Sequence, residues 1–216
     1  MFSKTVVTAG LATALLLTPF SAPASASSPA PSDRITLEVV SVMGSGCPSG
    51  TMAVAASPDN TAFTVTYSDY LAQVGVGAEP TDWRKNCQLG IKVNVPQGFT
   101  YGVAQADYRG FASLEKGSTG TQVSSYYFQG SQNTSKESYT FNGPLSDSWQ
   151  RSDTREISEM EYAPCGVQRI LNVNTELRVR AGTSDTKSTT SFMTMDSIDG
   201  AASTTYHFAW KQCPGA

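Results

Sequence analysis

Cys87-Gln88-Leu89-Gly90-Ile91-Lys92-Val93-Asn94-Val95-Pro96-Gln97-Gly98-Phe99 carries the pattern that decides the fold. Leu89, Ile91, Val93 and Val95 fall on one side of an extended chain, and Gln88, Lys92 and Asn94 on the other. A period of two marks a strand with one face in a core and one in water. Pro96-Gln97-Gly98 turns the chain, and Phe99, Tyr101 and Val103 restart the alternation. Residues 87–107 therefore read as a hairpin or a strand pair around a bend.

The signal recurs after Cys165, where Leu171, Val173, Leu177 and Val179 alternate with Asn172, Asn174, Glu176, Arg178 and Arg180. Ile35-Leu37-Val39, Phe63-Val65-Tyr67 and Tyr206-Phe208-Trp210 obey the same rule, and residues 52–54, 123–128, 138–141 and 191–195 obey it more weakly. Between them lie Gly-, Pro- and Asn-rich turns such as Ser57-Pro58-Asp59-Asn60 and Asn142-Gly143-Pro144. Asp153 to Tyr162 comes closest to a helical period, with Ile157 and Met160 one turn apart. Short strands with frequent turns and no helical crossovers predict an all-β chain, a single antiparallel β-sandwich of which the jelly roll is one form.

The amino terminus has the parts of a signal peptide. Lys4 is the positive start, Thr5 to Leu17 an uncharged apolar run, and Ala24-Ser25-Ala26 a small-residue cleavage site. The run is too short to span a bilayer, so no membrane partner is expected once residues 1–26 are removed. Ser27 to Asp33 reads as a loose Ser/Pro/Ala leader, and residues 34–216 as the β-sandwich domain.

The chain carries 15 basic and 18 acidic residues, a formal net charge of −3, and the basic ones are scattered along it. That argues against nucleic acid as a partner. The cysteines are Cys47, Cys87, Cys165 and Cys213. An even number in an exported chain points to disulfides. Three pairings are open, and Cys47–Cys87 with Cys165–Cys213 is favoured because each half then has its own staple. Zinc is the alternative, against which stands the absence of any C-x-x-C spacing. No cofactor is expected.

One set of phrases occurs in order along the chain. It comprises Gly44-Ser45-Gly46-Cys47-Pro48, Ala62-Phe63-Thr64-Val65, Ser68-Asp69-Tyr70, Arg84-Lys85-Asn86-Cys87-Gln88-Leu89 and Val95-Pro96-Gln97-Gly98-Phe99. Asp107-Tyr108-Arg109-Gly110, Asn172-Val173-Asn174-Thr175, Ser191-Phe192-Met193 and Tyr206-His207-Phe208-Ala209-Trp210 complete it. The set resembles an uncharacterised secreted family of actinobacteria and filamentous fungi, a domain of unknown function. The resemblance covers Cys47 to Cys213 and implies a small exported protein with this four-cysteine pattern. It implies no activity.

Tests for chemistry are mostly negative. The one histidine, His207, lies mid-strand, and no serine sits in a G-x-S-x-G elbow, so a Ser-His-Asp site has no support. Glycoside hydrolysis needs two facing carboxylates, and Glu38, Glu176 and Asp107 are the acids to test. Asp196-Ser197-Ile198-Asp199-Gly200 has two carboxylates but reads better as a hairpin turn than as a calcium loop. Trp83 and Trp149 lie in polar segments that read as loops, and Tyr126-Tyr127-Phe128 puts rings on both faces of one strand. Trp83, Trp149 and Tyr126 are therefore the ligand-binding candidates, since amphipathic rings meeting water are common recognition elements. Asn133-Thr134-Ser135 is a glycosylation sequon. These features favour a non-catalytic secreted protein that binds a polysaccharide or an extracellular protein. The alternatives are a secreted carbohydrate-active hydrolase and a secreted inhibitor.

Overall fold

A computed structural model describes residues 28–195 and 203–215. The expected signal peptide and the Asp196–Gly200 turn lie outside the described residues. Among the described residues twelve strands run in order: β1 (Thr36–Met43), β2 (Met52–Ala56), β3 (Ala62–Tyr67), β4 (Leu71–Gly75), β5 (Arg84–Asn94), β6 (Phe99–Leu114), β7 (Thr119–Phe128), β8 (Ser135–Asn142), β9 (Leu145–Thr154), β10 (Ile170–Arg180), β11 (Thr190–Thr194) and β12 (Ser203–Gln212). They form a five-stranded sheet, β1-β5-β10-β7-β8, and a seven-stranded sheet, β2-β3-β12-β6-β11-β4, with β9 paired to β6. The named pairs are antiparallel. Asp107 pairs with both Ser152 of β9 and Thr205 of β12, so β6 lies between those strands.

The alternating faces meet in the middle. Leu89, Ile91 and Val93 of β5 and Leu171, Val173, Leu177 and Val179 of β10 are all buried, as are Phe63, Tyr108, Tyr206, Phe208 and Trp210 from the opposite sheet. Phe63 stacks on Tyr206 at 4.8 Å between ring centroids, and Tyr101 meets Phe128 edge-on at 5.3 Å across the sheets. Both favoured disulfides form, Cys47–Cys87 and Cys165–Cys213. They close 40- and 48-residue separations, each worth about 4 kcal/mol in the chain-entropy picture.

One expectation is narrowed and two are corrected. Of the two readings of 87–107, the strand pair around a bend holds and the hairpin does not: β5 belongs to the five-stranded sheet and β6 to the seven-stranded one, so the turn at 96–98 carries the chain between layers. Residues 153–162 form no helix; β9 runs to Thr154, and beyond it the Glu159 N–H closes a turn by bonding the Glu156 carbonyl. The leader is not loose from Ser28 onward. Asn60, held at φ 59°, donates from its side-chain amide to the carbonyls of Pro31 and Asp33 and accepts from the Ile35 N–H. Its own carbonyl accepts the Trp210 indole N–H at 2.9 Å, and Ser28 N–H bonds the Trp210 carbonyl. One buried asparagine thus ties residues 31–35 to the last strand.

Candidate functional site

At one end of the sandwich the two layers part, and the ends of β7 and β10, the 129–134 loop and the connection after β9 enclose a cleft of about 420 Å³. Val103, Phe128 and Leu171 supply its apolar part, Met160 another apolar surface, and Gln132, Asn133, Glu159 and Glu161 polar groups. The alternation of β7 turns Tyr126 and Phe128 inward and leaves Tyr127 half-buried on the other side. Arg155 lies over the Tyr126 ring, donates from Nε to the Tyr126 hydroxyl at 3.3 Å, and pairs through Nη2 with Glu137 at 3.2 Å. Behind them Asp153, buried on β9, accepts hydroxyl bonds from Ser124 and Tyr139, each 2.7 Å long. Burial works against the Arg155 cation, but the Tyr126 hydroxyl and the charges of Glu137 and Asp153 outweigh it and raise its pKa above the ordinary value. The guanidinium is thus a fixed, permanently charged donor inside a mixed apolar and polar cleft, the usual make-up of a small-ligand site.

The connection after β9 also borders a second cleft, of about 570 Å³, through residues 163–169. That one surrounds the Cys165–Cys213 disulfide, with Phe99, Tyr101 and Val95 among its residues.

Residues 33–213 match the model of the family described as "Domain of unknown function (DUF4360)". The chain belongs to this family. An "uncharacterized secreted protein" of Arthroderma benhamiae is 36% identical over 181 residues, which are 84% of this chain and 73% of the fungal protein. The DUF4360 chain is likewise secreted, and its two disulfides suit an oxidising space.

In the DUF4360 fold two of the candidates drawn from the sequence come together: Tyr126 and Asn133 both line the first cleft, Asn133 from its exposed side. Trp149 does not join them. It lies mid-strand on β9, only 5% exposed, against Phe141 at 5.5 Å, so it is a core ring and not a loop contact. Trp83 is 42% exposed just before β5, at the opposite end of the five-stranded sheet from the cleft. The sequon asparagine therefore borders the cleft, while neither tryptophan does.

The acids do not pair. Glu38 bridges to Lys92 on β5, Glu176 is held by Arg84 and Arg178, and Asp107 belongs to the other sheet. Asp107 does meet His207, whose Nε2 is 2.8 Å from Oδ2, and the Ser152 hydroxyl donates to the other oxygen. The carboxylate thus stands between serine and histidine, whereas a nucleophilic serine must touch the histidine itself. Among the described residues no group of three or more His, Cys, Asp or Glu side chains is arranged to hold a metal ion. Arg155, Glu137 and Met160 are invisible as site residues in the sequence: Arg155 and Met160 reach Tyr126 only where the connection after β9 crosses from the other layer, and Glu137 only through the register of β8 on β7.

Proposed function

We propose that this secreted protein is a non-catalytic binding protein that takes a sugar unit of an extracellular or wall polysaccharide into the cleft at Tyr126. The observation that carries the reading is the fixed Arg155–Tyr126 pair in a preformed cleft with apolar and polar walls. Sugars present apolar C–H faces and rings of hydroxyls, and the cleft offers both kinds of complement. Gln132 and Asn133 add amides. Glu159 and Glu161 also line the cleft, but they come two residues apart from one segment. A glycosidase sets its two carboxylates on opposite sides of the bond it cleaves, so this placement favours binding over hydrolysis.

The test is retention of the purified secreted protein on insoluble chitin, cellulose and cell-wall preparations, alongside Asn133→Trp. Asn133 is exposed, so the substitution fills the cleft mouth without touching the core. Retention of the wild type and its loss in Asn133→Trp supports the reading. Equal retention of both moves the site elsewhere, and retention of neither removes the glycan reading.

A further inference from the structure

The outer face of the five-stranded sheet gathers charges that are scattered in the sequence. Arg84, Asn86 and Gln88 alternate along β5, Asn174, Glu176 and Arg178 along β10, and Lys136 reaches in from β8; together they border a groove of about 210 Å³. The register sets them side by side: Arg178 opposite Arg84, Glu176 opposite Asn86, Asn174 opposite both Gln88 and Ser125, and Lys136 opposite Ser125. Neighbouring strands are about 4.8 Å apart, so these side chains form one continuous polar surface.

Two like charges directly opposite each other destabilise a sheet. Here Glu176 resolves the conflict, forming ion pairs with Arg84 and Arg178 at once. The carboxylate is 11% exposed, whereas the two arginine side chains remain 42% and 39% exposed. Glu176 therefore acts as a post that holds two guanidinium forks at the surface. One carboxylate cannot neutralise two guanidiniums and the Lys136 ammonium. The groove is basic on a chain whose formal net charge is −3.

We propose that this groove binds an acidic polysaccharide whose sugars carry carboxylates. Arg84 and Arg178 meet the carboxylates, since the guanidinium fork matches a carboxylate in a bidentate way. Asn86, Gln88 and Asn174 donate to and accept from sugar hydroxyls. A single-stranded nucleic acid fits less well, because it needs aromatic stacking platforms, and the groove has no aromatic side chain. The proposal rests on the glycan-binding reading above and names the class of glycan. A path joins the two sites: Tyr127, which lines the end cleft, pairs with Asn172 on the same strands that carry Ser125 and Asn174.

The test is affinity electrophoresis of the secreted protein in gels holding polygalacturonate, methyl-esterified polygalacturonate, single-stranded DNA, or a neutral glucan. Arg84→Gln/Arg178→Gln and Lys136→Glu are run beside the wild type. Lys136→Glu is the decisive variant, because it leaves both partners of Glu176 in place; its melting midpoint is checked first. The groove account predicts retardation by polygalacturonate that weakens about tenfold or more with Lys136→Glu and on methyl esterification, the scale of losing a charge-assisted contact. Retardation that survives esterification or Lys136→Glu overturns it, as does stronger retardation by DNA. If polygalacturonate fails while neutral wall polymers are still bound in an Asn133-dependent way, this proposal falls and the cleft reading stands. If no polymer is bound, both fall.

Discussion

Gly110 of β6 and Trp149 of β9 are direct cross-strand partners, and the space a side chain would take at Gly110 is already filled. A Cβ there would come within 1.9 Å of the Thr194 carbonyl oxygen and 2.6 Å of the indole Cζ2. Gly110→Ala must push apart β9, β6 and β11 together. We expect a loss of roughly 1–3 kcal/mol, the usual cost of overpacking, read from urea unfolding. A change under about 0.5 kcal/mol, the range of neutral surface substitutions, would mean the junction has slack.

Trp210 and Trp83 should answer truncation very differently. Trp210 is 3% exposed, packs on Phe208 and Tyr101, and holds Asn60 through its indole N–H. Trp210→Ala should cost about 3–5 kcal/mol, while Trp83→Ala should stay within about 0.5 kcal/mol of wild type. Denaturant midpoints at unchanged slope decide it, and near-equal losses would contradict the assignment of Trp210 to the core.

The strands that announce themselves in the sequence are those with one wet and one dry face. β5 and β10 sit inside their sheet, so every second residue from Leu89 to Val93 and from Leu171 to Val179 except Thr175 is apolar. β9 escapes the periodicity because among the described residues it is paired to β6 alone, and the positions in phase with Trp149 carry Asp147, Arg151 and Asp153. Arg151 covers the Phe141 ring at 4.9 Å instead of an apolar residue doing so. A polar stretch with one ring reads as a loop for that reason. The turn at 96–98 is ambiguous in another way, since a bend that changes sheet and a bend that closes a hairpin use the same residues. The cleft is legible only in part. Tyr126 stands out as one of three consecutive aromatics, but its partner Arg155 is 29 residues away and enters from the other layer.

The two disulfides should not reduce together. Cys47 and Cys87 are 2% and 1% exposed, whereas Cys165 lies at the surface beside the second cleft. Reduction requires a thiolate to reach a sulfur, so the exposed bond is the labile one. Under mild reductant without denaturant, alkylation and peptide mapping should label Cys165 and Cys213 well before Cys47 and Cys87. Equal labelling would mean that the native fold opens around Cys47.

Acid should loosen the turn between β4 and β5. Asp82 is pulled down to about 2 chiefly by its bond from Lys85, and further by the Glu79 N–H and the Gln73 amide. Its folded pKa lies below the ordinary 3.8. Its support is therefore fully present above that value and is lost as pH falls through about 2. A carboxyl-carbon NMR titration should place the Asp82 midpoint near 2 and shift it toward 3.8 when Lys85 is changed to Met. A wild-type midpoint already at 3.8 would mean these bonds are not kept in solution.

The claim that the Tyr126 cleft is the binding site is tested most directly by amide and methyl NMR of the secreted protein titrated with soluble wall oligosaccharides. The account predicts saturable shifts at Tyr126, Tyr127, Asn133 and Met160, with the Arg155 guanidinium signal moving in step. Saturable shifts confined to Trp83 and its neighbours, or none with any oligosaccharide, would contradict it.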